Sequence, residues 1–276
     1  MTDATVVTDP TPATSPAVRI EGLTKDFPGG TRALEGVTFD VPSGELTSLI
    51  GPSGCGKTTT LKITAGLIPA TSGQVIVNGI PVTGPGPERA FVFQDFALLP
   101  WATVLRNVSF GLELRGVPKQ QREATAREYI AKTNLAGFEH HFPHQLSGGM
   151  RQRVGLARAL AVDADILLMD EPFASVDEQI RRTFQEDLLR LLSEERKTVL
   201  FVTHSIEEAV YVSDQIVILT RGPGRVTNVI RPDIPRDGTA DEIRRSQPYL
   251  DAVEKIWGEL RGYAEEDVRA GTAAPA

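Results

Sequence analysis

The chain has 276 residues, 41% of them hydrophobic and 24% charged, which suits a globular protein of one or two domains with a substantial core. The formal net charge of −7 argues against a general nucleic-acid binder, and the single cysteine, Cys55, excludes an internal disulfide framework and fits a reducing compartment. No apolar run reaches the roughly 18 residues needed to span a bilayer. The first basic residue is Arg19, so the N-terminus lacks the basic region of a secretory signal, and any membrane role is expected to come through a partner.

Residues 1–17, rich in Thr, Pro, Ala and Asp, are expected to be a disordered tail. Residues 18–23 and 33–41 read as two strands, joined by a segment holding Phe27, Pro28, Gly29 and Gly30. Phe27 has two readings: a minor core residue, or an aromatic face on which a base stacks. Residues 46–50 read as a buried strand and 60–67 as a helix. Between them runs Gly51-Pro52-Ser53-Gly54-Cys55-Gly56-Lys57-Thr58-Thr59, with the spacing G-x-x-x-x-G-K-T. Glycines let this backbone wrap a phosphate without Cβ clashes. The loop amides and the following helix N-terminus supply positive potential. Lys57 offers a point charge to the β- and γ-phosphates, and the Thr58 hydroxyl is suited to ligate Mg²⁺. Strand, glycine loop and helix together predict a nucleoside triphosphate site.

Residues 74–78 alternate toward a strand that ends in the turn Asn78-Gly79, followed by a proline-rich loop at 80–87. A short apolar strand at 90–93 ends at Gln94. From residue 95 the texture becomes helical. Phe96, Leu98, Leu99, Pro100 and Trp101 are either core of this insertion or a docking surface for a partner. Thr103 can cap a helix to about 114, and a second helix fits 119–134. His140, His141 and His144 lack the cysteine or carboxylate company of a metal site. Ser147, with Gly148 and Gly149, opens a helix through 160; this is either an ordinary cap or a second helix N-terminus prepared for an anion. The unbroken apolar run 166–169 reads as a central parallel strand. Asp170 and Glu171 follow at its C-terminal end, where open α/β sheets place their sites. Asp170 is a candidate Mg²⁺ partner and Glu171 a candidate base for a water. Beyond Asp177 come a helix at 178–192, a strand at 198–202 and then His204, which is either a core or cap residue or a hydrogen-bond partner of a γ-phosphate. A helix at 206–212, a strand at 215–219, a turn at 221–225, a strand at 226–230 and helical patterns at 240–246 and 249–260 complete the chain, with 264–276 expected to fray.

Taken in order, these motifs resemble the ATP-binding cassette (ABC) ATPases over about 18–230. GPSGCGKTT at 51–59 resembles the Walker A motif, Gln94 the Q-loop glutamine and LSGGM at 146–150 the signature. ILLMDEP at 166–172 resembles Walker B, SVD at 175–177 the D-loop and His204 the switch histidine. The resemblance implies an α/β P-loop NTPase core with a mainly parallel sheet, an antiparallel β subdomain and a helical insertion at about 95–160. It implies an ATPase domain at 18–262, including a C-terminal helical extension at about 239–262, and a flexible tail at 263–276. ATP and Mg²⁺ are the implied cofactors. Phe27 would stack on adenine, and Gly51, Pro52, Ser53, Gly54, Cys55, Gly56, Lys57, Thr58 and Thr59 would hold the phosphates. Thr58, Gln94 and Asp170 would hold the metal. Glu171 would polarise the attacking water, with Gln94, Lys57 and His204 completing the catalytic set. Ser147, Gly148 and Gly149 would grip ATP bound to a second copy, in a head-to-tail dimer.

Two positions depart from the family pattern: Met150 stands where many members carry Gln, and Ser-Val-Asp where Ala-Leu-Asp is usual. LSGGMRQRVGLARAL at 146–160, Leu98-Leu99-Pro100-Trp101, Asn107-Val108 and the tail with Tyr249 and Trp257 resemble the nitrate/sulfonate/taurine importer subfamily. This implies an ATPase subunit at the cytoplasmic face of the inner membrane that energises import of a small anion through separate integral membrane permease subunits. An extracytoplasmic solute-binding protein would act through the permease, no nucleic acid is expected as a partner, and the 96–101 stretch would lie in the groove that receives a permease helix. The alternatives are an exporter or lipid-transport ATPase and a soluble cassette protein acting on DNA or ribosomes. Against the soluble reading stand the lack of a long coiled-coil insertion or second cassette. A P-loop kinase or GTPase would leave the signature and His204 without a role.

Overall fold

The computed structural model describes residues 15–174 and 178–271; the N-terminal residues 1–14, the D-loop at 175–177 and residues 272–276 lie outside the described residues. Strands β1 (Val18–Asp26) and β2 (Arg32–Val41) form an antiparallel hairpin. With β4 (Ser72–Val77) and β5 (Ile80–Pro81) they make a sheet of order β2-β1-β4-β5. The turn between β4 and β5 places Asn78 and Gly79 at φ 48° and 78°, as a tight two-residue hairpin requires. Residue 17 is already part of the fold: Ala17 is buried and its carbonyl accepts the Asn78 amide, so the expected tail overruns the ordered edge by a few residues.

The second sheet has the order β10-β9-β3-β8-β7-β6. Its members are β3 (Leu46–Ile50), β6 (Arg89–Val92), β7 (Ile166–Asp170), β8 (Thr198–Val202), β9 (Gln215–Leu219) and β10 (Val226–Ile230). All neighbours are parallel except β10, which returns antiparallel to β9. The central strands are buried along their whole length because both faces are covered, which is why they read as unbroken apolar runs. The period of two still sorts their side chains. Leu167, Met169, Val199 and Phe201 enter a core shared with the helices, whereas Ile166, Leu168, Leu200 and Val202 enter a core shared with the antiparallel sheet.

Helix α1 (Lys57–Thr64) sits in that second core between the two sheets, contacting β2, β7 and β8. It starts and stops about three residues earlier than the apolar pattern predicts. Gly56, left-handed at φ 92°, opens it. Gly66 at φ 74° closes it, with the Leu67 amide donating to the Lys62 carbonyl and the Gly66 amide to the Ile63 carbonyl in a Schellman arrangement. The insertion contains α2 (Val104–Leu114), α3 (Lys119–Lys132) and α4 (Gly148–Ala161), which pack on one another, and α4 also leans on β6. Thr103 and Ser147 cap α2 and α4 through hydrogen bonds from Arg106 and Met150 amides, as their residue types predict. Helices α5 (Glu178–Glu195), α6 (Ile206–Val212), α7 (Ala240–Arg245) and α8 (Gln247–Gly271) follow; α8 packs on α6 and continues well past residue 260.

Candidate nucleotide site at the strand ends

The phosphate loop leaves β3 at Gly51 and enters α1 at Lys57. Gly56 has no substitute: a Cβ there would stand 2.4 Å from Leu34 Cδ2 and 2.9 Å from the Ala33 carbonyl oxygen. No side chain caps α1, so the first amides of the helix are left for a ligand at its positive end. A cleft of about 240 Å³ opens here, lined by Ala33, Ser53, Gly54, Cys55, Gly56, Lys57, Thr58, Thr59 and Glu171. The Lys57 ammonium is buried beneath it, donating to the Gly51 carbonyl at 2.8 Å and the Pro52 carbonyl at 3.1 Å. Cys55 lines this cleft as part of the loop. Its thiol is fully buried in the core between the sheets, which pushes its titration up, and its amide donates to the Pro52 carbonyl.

Pairing of β7 with β8 carries Asp170 and Glu171 to the edge of this cleft. Thr58 Oγ1 donates to Asp170 Oδ1 at 2.9 Å, across 112 residues of chain. Asp170 is only 5% exposed, and this burial pushes its carboxyl above the usual range, partly offset by the Thr58 hydrogen bond. A hydroxyl and a buried carboxylate side by side are the hard oxygen donors that Mg²⁺ takes, so the residues fit the metal. Glu171 adopts φ 45°, an unusual backbone for a residue with a side chain, and its amide is held by the Val202 carbonyl of β8. Its Oε2 lies 3.2 Å from His204 Nδ1. His204 leaves β8 just before α6, where Ser205 caps the helix and Thr203 Oγ1 donates to Glu208 at 2.6 Å. The acid and the histidine, distant in sequence, are thus in contact at the edge of the cleft.

The remaining expected residues stand apart. Gln94 lies on an exposed turn beyond β6, one strand over from Asp170, and no hydrogen bond joins it to Thr58 or Asp170 among the described residues. Phe27 lies in the turn between β1 and β2, 38% exposed, with the Lys25 ammonium 5.3 Å from its ring centre. Ser147, Gly148 and Gly149 begin α4 and line no part of the phosphate-loop cleft. The apolar stretch before α2 divides between its two readings. Phe96 and Ala102 are buried, whereas Trp101 is 74% exposed.

Sequence reasoning misses three supports of the site. Arg158 of α4 donates to the Phe96 and Ala97 carbonyls at 2.6 and 2.7 Å, tying the signature helix to the turn after Gln94. Asn107 of α2, fully buried, bonds the backbone of Leu99, Ala102 and Thr103. The turn between β9 and β10 lies under the phosphate loop so closely that a Cβ on Gly224 would be 2.0 Å from the Cys55 carbonyl oxygen. The signal for Asn107 and Arg158 is a polar residue on a face that otherwise turns inward; for the turn, only its glycines. A larger cavity of about 660 Å³, lined by Leu46, Val199, Tyr211 and Arg236 among others, lies toward the opposite ends of the strands and contains none of the motif residues.

The fold and this cleft together define an ATP-binding cassette. The family model described as "ABC transporter" matches residues 34–174. The chain belongs to that family of ATPases, which hydrolyse ATP to power transport. A Methanocaldococcus jannaschii ABC transporter ATP-binding protein is 50% identical over 231 residues, covering 82% of this chain and 86% of that relative. The taurine import ATP-binding protein TauB of Yersinia pestis is 48% identical, covering 76% and 82%, and that of Chromobacterium violaceum 46% identical, covering 83% and 88%. Among solved structures, a dimeric ATP-binding cassette in a post-hydrolysis state bound to ADP and Pi superposes with a TM-score of 0.69 at 33% identity, covering 78% of this chain and 98% of that one. A Clostridium perfringens cassette, part of the ABC transporter complex cbiONQ, reaches 0.72 at 25% identity, covering 79% and 90%.

Proposed function

We propose that this ATPase is the nucleotide-binding subunit of an importer for a small sulfonate-like anion, acting as a head-to-tail dimer on the cytoplasmic face of the membrane. The observation that carries the dimer is the division within one protomer: Lys57, Thr58 and Glu171 line the cleft, with Asp170 bonded to Thr58 and His204 to Glu171, while the second capped helix start, Ser147 to Gly149, lies elsewhere. A second copy facing the first brings its Ser147 and Gly149 to the nucleotide. The relatives named for taurine import support the cargo class.

In this reading Gly51 to Thr59 grip the phosphates and Phe27 stacks on the base. Thr58 and Asp170 would hold Mg²⁺, with Gln94 reaching it in the closed dimer, and the metal when bound would supply positive charge to the phosphate oxygens. Glu171 accepts the proton of the attacking water, and His204, oriented by its contact with Glu171, donates to the γ-phosphate. Lys57 leaves its carbonyl partners for the β- and γ-phosphates.

Among the described residues no helix is long and apolar enough to cross a membrane; in this reading the force of the ATP cycle is passed to separate permease subunits. Exposed Trp101, on a segment anchored to α2, offers a contact for them. An extracytoplasmic binding protein delivers the anion to the permease. Co-purification from membranes tests the proposal: a permease pair should accompany the chain, and taurine uptake in vesicles containing the complex should require ATP. Recovery with an export permease, or uptake indifferent to alkanesulfonates, would refute it.

A further inference from the structure

The turn between β9 and β10 joins the phosphate loop to the start of β2. Its fold is set by Thr220, whose hydroxyl donates to the Pro223 carbonyl and accepts the Arg225 amide, each at 3.0 Å. Gly224 lies against β2: its amide donates to the Ala33 carbonyl at 2.9 Å, and its carbonyl accepts the Glu35 amide at 3.0 Å. The opposite side of the same turn touches the phosphate loop, with no room for a Cβ between Gly224 and the Cys55 carbonyl. A run of charged side chains continues outward. Arg225 donates to Glu35 Oε2 through Nε at 3.1 Å and Nη2 at 2.5 Å. Glu35 Oε1 accepts from Arg32 at 3.4 Å, and Arg32 grips both carboxylate oxygens of Asp26 at 2.8 and 3.2 Å. Asp26 and Arg32 are cross-strand partners that close the hairpin loop carrying Phe27.

We infer that Arg225 and Glu35 are positioning residues for nucleotide binding, clamping the Phe27 hairpin to the turn that underlies the phosphate loop. This rests on the reading that Phe27 stacks on the base. The backbone bonds at Ala33 and Glu35, six and eight residues beyond Phe27, hold the start of β2 but make no bond to the loop 27–31 itself. The charged run continues from Glu35 to the Asp26–Arg32 pair at the mouth of that loop. The Arg225 guanidinium, followed by Arg32, holds the Glu35 carboxyl below its usual range, and Arg32 does the same for Asp26, so the run is fully ionised at neutral pH. These groups are exposed, so the clamp orients the ring more than it stabilises the fold.

The test compares two ligands that share a phosphate end but not a base. Binding of ATP and of inorganic tripolyphosphate to the full chain is titrated without divalent metal, so that no turnover occurs. Arg225→Ala is expected to weaken ATP about fivefold, the most an exposed ion pair supports, and to leave tripolyphosphate unchanged. Arg225→Lys, which keeps the charge but not the two-nitrogen grip, should recover part of the loss. Phe27→Ala should weaken ATP alone. Equal losses for both ligands, or no loss of ATP affinity in Arg225→Ala while Phe27→Ala shows one, would overturn the clamp. If Phe27→Ala leaves ATP binding intact, the stacking reading falls and the clamp falls with it.

Discussion

Asn107 offers the sharpest test of how the helical insertion presents its apolar segment. Its side chain is fully buried. Oδ1 accepts the Leu99 amide at 2.8 Å, while Nδ2 lies 3.2, 3.0 and 3.1 Å from the carbonyls of Leu99, Ala102 and Thr103. An amide has two N–H groups, so the three carbonyls share two donors, and the residue makes in effect one accepted and two donated bonds. At about 1 kcal/mol each, Asn107→Ala should cost on the order of 3 kcal/mol, including the Leu99 amide left without its partner. For a chain near this size that is a fall of roughly 6–12 °C in melting temperature. The functional effect should be selective. The segment bearing Trp101 would loosen, while the phosphate-loop cleft, built on β3, β7 and β8, contains neither residue. Basal ATP hydrolysis by the isolated subunit, measured well below the lowered transition, should therefore stay within about twofold, whereas stimulation by the permease should be lost. A variant whose basal and stimulated activities fall together, or one whose melting temperature does not move, would refute the reasoning.

Lys57→Ala should abolish tight ATP binding, measured by titration; undiminished affinity would count against the cleft. Glu171→Gln should halt turnover and accumulate an ATP-bound dimer on size exclusion, so a variant that stays monomeric with ATP argues against a shared site. Asp170→Asn should bind MgATP poorly yet melt higher without ligand. In the fold the Asp170 carboxyl holds its proton more tightly than in the unfolded chain, so its contribution to stability is present at low pH and is lost as pH rises through the raised folded value; at neutral pH its ionised form is a cost that the amide removes. A lower ligand-free melting temperature at pH 7 would contradict that sign. Trp101→Ala should uncouple transport while sparing basal hydrolysis, because removing a side chain that is 74% exposed disturbs little packing.

The local parts of the site are legible in the sequence because their chemistry is carried by adjacent residues. A glycine loop between an apolar strand and a helix, or two acids at a buried strand's end, announces itself without a partner. The strands at 46–50, 166–170, 198–202 and 215–219 are legible for the same reason, since burial on both faces writes them as apolar runs. What depends on pairing is not legible. Residue types alone do not say that Thr58 meets Asp170, or Glu171 meets His204; the family resemblance puts each pair at one site, and the parallel register of β3, β7 and β8 is what brings them together. The 221–225 segment reads as a turn, and only the closed fold reveals that Gly224 is wedged against the Cys55 carbonyl. Phe96 to Trp101 shows the limit most directly. One apolar run contains a buried Phe96 and an exposed Trp101, with Arg158 holding the Phe96 and Ala97 carbonyls and Asn107 the backbone of Leu99 and Ala102. Hydrophobicity sets how much of such a segment could be buried. Polar side chains from elsewhere in the insertion, Asn107 and Arg158, hold its backbone in the course that leaves Trp101 facing outward, available to a partner.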